Sequence, residues 1–294
     1  MPLTHLDHPE DTILTGDLSI FDALYERDSN ISVKIDGAPS VVWGVNPENG
    51  KAFVGTKSVF NKKKIKICYT IEDIFTHYDI ETQANLIEIL CACYECLPNT
   101  EGVYQGDFIG FGGSDTYMPN TLTYKFAEKI EEHIIIAPHT YYTGDILNQL
   151  EAHPLEGELI GTKRCYFVQP TVDRVVPSVS SMKVGTDNVK FLTNKEAKEA
   201  KQCINAVIRA GEELTDEILT HILGCNYLAN LYQLVIEIKE SLIEDMIVYN
   251  CPKAYVGEEQ VNQEGFVMTN KYGMIKLVDR TQFSFANFTN GKFQ

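Results

Sequence analysis

Two hydrophobic periods divide this chain. Over residues 31–60 apolar and polar side chains alternate, whereas over 71–97 apolar residues recur at helical spacing. Alternation puts successive side chains on opposite faces of a strand, and a three-to-four repeat lines one face of a helix. Residues 31–60 therefore read as strands, with Pro47-Glu48-Asn49-Gly50 turning the chain between 41–45 and 52–55. Residues 102–111 and 121–127 read as further strands, as does Glu132-His133-Ile134-Ile135-Ile136-Ala137. A β-rich stretch is expected over 156–192, with Leu159-Ile160 and Tyr166-Phe167-Val168 as its apolar runs. Residues 1–30 are polar, with a short helix expected over 19–26.

The pattern changes at 193–250. Asn194 precedes Lys195-Glu196-Ala197-Lys198-Glu199-Ala200-Lys201, a strong helix-forming run. Thr215 can cap a second helix, and 228–248 reads as a third. Strands and helices segregated in this way predict an α+β fold.

Composition narrows the class. The 294 residues are 44% hydrophobic, ordinary for a globular protein. No apolar run is long enough to span a bilayer, and the first residues lack the basic and apolar regions of a signal peptide. A soluble cytoplasmic protein without a membrane partner is the expectation. The net charge of −16 and the pI of about 4.8 count against a general nucleic-acid binder. The charge is uneven, however. Residues 51–70 hold Lys51, Lys57, Lys62, Lys63, Lys64 and Lys66 and no acid, whereas 237–264 hold seven acids and two lysines. The lysine stretch reads either as a guide for a polyanion or as a solvated loop. Cys91, Cys93 and Cys96 lie on a helical pattern. Only Cys93 and Cys96 have metal-knuckle spacing, and no second pair follows, so buried reduced thiols are expected there.

The candidate chemistry begins at Lys34-Ile35-Asp36-Gly37, between two apolar runs. Downstream come Gly106-Asp107-Phe108, then Gln263-Glu264-Gly265-Phe266-Val267, then Ile275-Lys276-Leu277-Val278. Alone, a Lys-x-Asp-Gly stretch is most often a surface hairpin. In company, a lysine on one strand, acids on two others and a second lysine on a fourth fit a site that forms a lysine–nucleotide bond. The attacking amine must be unprotonated, although a free lysine titrates near about 10.4. Desolvation and neighbouring positive charge favour the neutral form. Lys276 can supply that charge and hold the α-phosphate. Glu264 and Asp107 are hard oxygen ligands suited to Mg²⁺. Asp36, expected on the same strand face as Lys34, can orient a ribose hydroxyl or the leaving group. Gly37 lets the backbone turn and approach a ligand. His139 and Trp43 read as structural, at a strand end and in the core respectively.

In this order the residues resemble the covalent nucleotidyltransferases: ATP-dependent DNA ligases, RNA ligases and mRNA capping enzymes. Lys34-Ile35-Asp36-Gly37 is similar to the motif whose lysine becomes nucleotidylated. Gly55-Thr56-Lys57-Ser58 resembles the small basic motif whose cation meets the ribose or the triphosphate. Gly106-Asp107-Phe108 is similar to the third motif, with Asp107 where the family usually has Glu. Thr123-Tyr124-Lys125-Phe126 resembles the aromatic strand whose ring stacks on the base. Glu264-Gly265-Phe266-Val267 matches the fourth motif closely. Ile275-Lys276-Leu277-Val278 matches the fifth in part, because one lysine of its Lys-x-Lys is replaced by Val278 or Met274. Lys-x-Asp-Gly-Ala-Pro and Gln-Gly-Asp-Phe also resemble an uncharacterised group of phage proteins, which implies a viral source and a host cytoplasm.

The resemblance implies an antiparallel-sheet nucleotidyltransferase core over 1–192 and 251–294, with 193–250 as a helical insertion or lobe. It implies ATP and Mg²⁺ (or Mn²⁺), catalytic Lys34 and Lys276, metal ligands Asp107 and Glu264, and nucleotide contacts from Asp36, Gly37, Lys57, Tyr124, Phe126, Glu264 and Lys276. Only 18 residues follow Lys276, too few for the OB domain of DNA ligases and capping enzymes. The expectation is therefore an RNA-ligase-like polynucleotide ligase joining 5′-phosphate and 3′-hydroxyl ends of RNA or DNA. The alternatives are an OB-less DNA ligase, a guanylyltransferase, or a non-catalytic nucleotide-binding phage protein. Ring stacking accepts either purine, and no pattern in the chain sets an oligomeric state.

Overall fold

The computed structural model describes residues 8–174, 184–261 and 265–280. In chain order the strands are β1 (Asn30–Val33), β2 (Ser40–Val45), β3 (Ala52–Gly55), β4 (Val103–Phe111), β5 (Thr116–Tyr117), β6 (Thr123–Lys125), β7 (Ile134–Thr143) and β8 (Glu151–Pro154). They continue as β9 (Cys165–Phe167), β10 (Thr171–Arg174), β11 (Met246–Tyr249), β12 (Lys253–Val256), β13 (Glu259–Val261), β14 (Phe266–Asn270) and β15 (Gly273–Leu277). The helices are α1 (Pro9–Thr12), α2 (Ser19–Tyr25), α3 (Ile71–His77), α4 (Ile80–Cys96), α5 (Asn194–Arg209), α6 (Asp216–Leu223) and α7 (Asn226–Glu244). The fold is α+β, and its sheets are antiparallel except where β9 runs parallel to β7. No helix among the described residues is long and apolar enough to cross a membrane.

The chain forms two compact units. The described residues 35–170 and 250–261 belong to the first, and 8–34, 171–174, 184–249 and 265–280 to the second. The division falls between Lys34 and Ile35, inside the stretch that carries the candidate chemistry. It also cuts the chain elsewhere than the expected boundaries at 192 and 251.

In the first unit the sheet order is β3-β2-β4-β7-β8, with β9 on the outer part of β7. One face packs α3 and α4. Thr70 and Asp73 close a capping box on α3, and the Asp79 side chain accepts the Glu81 amide at the start of α4. Ile87, Leu90 and Cys93, three apart, turn one side of α4 onto Trp43, Val54, Ile134, Ile136 and Phe167. Trp43 is core, as expected, and stacks on Tyr104 and Phe167 at 6.0 and 5.9 Å. All eight cysteines are free thiols. Burial pushes Cys93 well above its ordinary range and Cys165 up to about 12, as suits inert core thiols. A second sheet, β13-β12-β6-β5, completes this unit. Its β12 and β13 carry no clear alternation in sequence.

The second unit is built on β1-β14-β15 and a β10-β11 ribbon. Ala197, Ala200, Ile204 and Ile208 of α5 share one core with Leu228, Tyr232 and Val235 of α7 and with Phe266, Met268, Ile275 and Leu277. Each fully buried aliphatic side chain of this kind contributes about 1.5–3 kcal/mol. The helical block thus shares its core with the β1-β14-β15 sheet. Two boundaries differ from expectation. Thr193, not Asn194, caps α5, through a capping box with Glu196. The third helix ends at Glu244, and Met246–Tyr249 pairs with β10, because the β-branched and aromatic residues of Met-Ile-Val-Tyr favour a strand. In 156–192 the described strands are only β9 and β10, and Ile160 is 86% exposed.

This unit also buries an ion cluster. Lys239 Nζ lies 2.9 Å from Glu10 Oε1, and Arg280 Nη1 lies 3.0 Å from Asp11 Oδ1. The Tyr232 hydroxyl donates to Asp11 Oδ1 at 3.0 Å and accepts from Arg280 Nη1 at 2.8 Å. Arg280 Nη2 donates to Asn205 Oδ1 at 2.9 Å.

Candidate functional site

In the second unit, register brings the two candidate lysines to one sheet face. Ser32 pairs with Val267, and Val267 with Lys276, while Val33 pairs with Phe266, and Phe266 with Leu277. Phe266, Met268, Ile275 and Leu277 point into the core, so Lys276, Val267 and Ser32 take the opposite face. The Lys34 amide donates to the Gly265 carbonyl at 2.9 Å, which carries the ladder one residue beyond β1. Alternation then sets Lys34 on the face of Ser32 and Lys276, and both lysines are half-buried.

Gly265 lies between Lys34 and Val278 with φ 144°, and a Cβ there would come 2.2 Å from the Leu277 carbonyl oxygen and 2.7 Å from the Val278 side chain. Only glycine fits that position. Val278 is 2% exposed and covers Gly265, which explains why no lysine stands there. Glu264 lies outside the described residues.

In the first unit, Asp36 does not continue the strand face of Lys34, because the ladder of β1 ends at the Lys34 amide and 35–39 is irregular. The segment is instead laid against β4. The Asp36 amide donates to the Tyr124 hydroxyl at 3.0 Å, and the Gly37 amide to Asp107 Oδ2 at 3.4 Å. Ala38 donates to the Phe108 carbonyl at 3.0 Å, and Phe108 donates to the Pro39 carbonyl at 3.0 Å. A Cβ at Gly37 would come 2.3 Å from that Phe108 oxygen, so glycine is needed for the close approach.

Asp107 lies on the sheet face that also carries Ser40, Val42 and Gln105. The register of β7 slips here. Gln105 pairs with Thr140 but Gly106 pairs with Pro138, which leaves His139 as the extra residue of a bulge. His139 Nε2 comes 3.6 Å from Asp107 Oδ1, and its Nδ1 lies 2.7 Å from Thr140 Oγ1. His139 is thus mid-strand, since β7 runs on to Thr143. The expected strand end at Pro138 overlooked a bulge that keeps the ladder intact. On the same face Gln105 donates to Ser40 Oγ at 3.0 Å and accepts from Tyr142, whose hydroxyl burial pushes up to about 12. Ser40, Gln105, Thr140 and His139 carry no recognisable sequence motif. Only the Gln-Gly-Asp phrase hinted at Gln105.

The aromatic strand departs from expectation. Tyr124 is 1% exposed, and its hydroxyl anchors Asp36. Phe126 is 8% exposed and packs edge-on against Tyr117 and Tyr166. Both rings are used for packing, so neither offers an open face for a base. Lys57 is exposed at the start of a 3₁₀ turn, Lys57–Phe60, whose entry is capped by Thr56.

Among the described residues no three His, Cys, Asp or Glu side chains converge as a ready metal cage. Asp107 still fits a hard divalent cation. Its carboxylate is 16% exposed and, among the described residues, meets a long amide contact and a histidine, and Mg²⁺ is commonly held by one or two carboxylates while keeping several waters.

No curated protein and no solved structure matches this chain. One family description does, over residues 4–223 and 212–292. The protein belongs to DUF6267, a family of unknown function.

Proposed function

We propose that this protein is an ATP-dependent nucleotidyltransferase of the polynucleotide-ligase type, closer to RNA ligases than to DNA ligases. One observation carries most of the weight: Lys34 and Lys276 share the non-core face of β1-β14-β15, on either side of a glycine that admits no side chain. A second ammonium on that face favours the neutral Lys34 amine. Lys34 Nζ attacks the α-phosphate of ATP, a P–N bond forms, the bond to the bridging oxygen breaks, and pyrophosphate leaves as the amine loses its proton to solvent. The AMP then passes to a 5′-phosphate, and a 3′-hydroxyl displaces it to form the phosphodiester.

The residues of the first unit enter this reading through the order of the motifs. Asp36, Gly37 and Lys57 would serve the nucleotide, and Asp107 would serve Mg²⁺ or Mn²⁺. When bound, that cation neutralises phosphate oxygens. Glu264 belongs to the same set by its motif alone. Asp107 in place of the usual Glu, and buried Val278 in place of a lysine, favour a second reading, a nucleotide-binding protein that does not transfer AMP.

Intact-mass measurement after incubation with ATP and Mg²⁺ or Mn²⁺ tests the two. A single AMP adduct, mapped to Lys34 and absent from Lys34→Ala, is the expected result. An unmodified chain with either metal and either purine nucleotide would leave only the second reading.

A further inference from the structure

The loop that leaves β3 and returns at Cys68 is fixed at both ends. Val54 and Cys68 exchange both backbone hydrogen bonds, at 2.9 and 3.0 Å. Inside the loop, Lys66 donates to the Ser58 carbonyl at 3.4 Å, and the Asn61 side chain donates to the Lys64 carbonyl at 3.2 Å. The lysines are therefore held on a shaped loop.

None of Lys51, Lys57, Lys62, Lys63, Lys64 and Lys66 takes part in an ion pair among the described residues. This is the opposite of what the composition leads one to expect. The chain has 41 carboxylates and 25 lysines and arginines, so acids are plentiful, yet 51–70 holds six of the cations and no acid. Clustered cations without acidic partners repel one another, and a polyanion relieves that repulsion.

Aromatic groups adjoin the cations. Lys66 Nζ sits 4.2 Å from the centroid of the Tyr78 ring. One helical turn before Tyr78, on α3, Phe75 is 51% exposed. Of the acids on that helix, Asp73 is engaged by the Tyr69 and Thr70 amides at 2.9 and 3.0 Å, and Glu72 is exposed three residues before Phe75. Cations along a backbone track, with an exposed ring on the helix that His77 ties to the Ile67 carbonyl, suit a polymer of phosphates and bases. An acidic protein supplies no flat bases to stack, and a duplex keeps its bases covered.

We propose that the Lys62–Lys66 loop and Phe75 form a docking surface for single-stranded nucleic acid. The inference deepens the ligase reading and rests on it for the polymer having reactive ends, whereas the grip itself is a property of this surface. Lys57 is set apart, because it is assigned to the nucleotide.

The test is fluorescence anisotropy of the full chain with short labelled single-stranded RNA and DNA, without ATP, across a salt series. Wild type should bind with an affinity that falls with salt by about 0.7 log unit per log unit for each phosphate contact. Joint replacement of Lys62, Lys63, Lys64 and Lys66 by Ser should remove most binding and flatten the slope, and replacement of the same four by Arg should restore it. Phe75→Ala should weaken binding about tenfold with the slope unchanged. Equal binding by wild type and the serine variant at every salt overturns the proposal. So does the absence of binding, or binding only to phosphatidylserine vesicles, in which Ile65, 43% exposed at the loop tip, would take part. Adduct formation at Lys34 is read without any oligonucleotide, so failure of the ligase reading and failure of this one are separate results.

Discussion

The two units treat charge in opposite ways. In the second, Glu10 and Lys239 are each 1% exposed and their charged ends lie 2.9 Å apart, while Asp11, Tyr232 and Arg280 complete the cluster at 2.8 to 3.0 Å. In the first, the Asp107 and His139 side chains are 16% and 38% exposed, and their nearest atoms are 3.6 Å apart. Short, dry contacts hold a fold together, and here they leave Glu10 Oε2 and Arg280 Nε buried without a hydrogen-bond partner among the described residues. Long contacts at a half-open bulge leave a carboxylate and an imidazole with capacity to spare for something else. Burial, followed by the Asp11 and Glu10 carboxylates, pushes the Tyr232 hydroxyl well above its ordinary range, so this group stays neutral and acts as a hydrogen-bonding link. The contrast separates charge used for structure from charge available for chemistry.

The largest effect that would break this contrast is on stability. Lys239→Met leaves Glu10 buried with its closest cation gone, Arg280 Nη1 lying 3.8 Å away. Removing one partner of a buried pair costs about 3–5 kcal/mol. Urea unfolding of this variant should show a loss of that size, and a loss below about 1 kcal/mol would mean that the cluster is wet and contributes little.

Asp107→Asn should do the reverse. Stability should fall by about 1 kcal/mol at most, because the carboxylate is largely buried but the amide that replaces it can still accept from Gly37. Lysyl-AMP formation should slow by about a hundredfold or more, the loss of several kcal/mol of transition-state stabilisation. His139→Ala should slow it by only about tenfold, as for a group that orients a ligand. A wild-type rate in both variants, measured by single-turnover adduct formation, would move the pair into the structural class with Glu10 and Lys239.

The smallest effect concerns Glu240, next to the buried cluster. Its carboxyl is held above the ordinary carboxylate range, first by partial burial and then by Asp279. The folded state therefore holds this proton more tightly than the unfolded state does. Its ionisation costs stability above the raised folded value, and the cost disappears as pH falls below the unfolded value of about 4.3. Glu240→Gln should raise the melting temperature at neutral pH, with the gain fading near about pH 4. A gain independent of pH would assign the effect to packing instead of charge.

Local pattern made much of the fold legible. The capped helices α3 and α6, the β2-β3 hairpin around 46–51 and the ladder of β14 and β15 follow from short-range alternation and turn chemistry, which reach only a few residues. The order of Lys34, Asp107 and Lys276 along the chain was legible in the same way. Other features depended on partners far away in sequence. The strand β11 looks like the end of a helix until β10, some 75 residues earlier, pairs with it. Tyr124 reads as a stacking ring until burial and the Asp36 amide engage it. His139 reads as a strand terminus until a register slip against β4 turns it toward Asp107.

By itself, then, the sequence determined the capped helices and the strongly alternating strands, where the cations cluster, and which residue types could carry nucleotidyl chemistry. Each of these depends on neighbours within a turn or two of the chain. Tertiary structure alone decided that Lys34 and Lys276 share one sheet face, that the unit boundary falls after Lys34, and that Glu10, Lys239 and Arg280 are locked together from three distant segments. Register and burial are collective properties, set by which residues the whole chain removes from water at once.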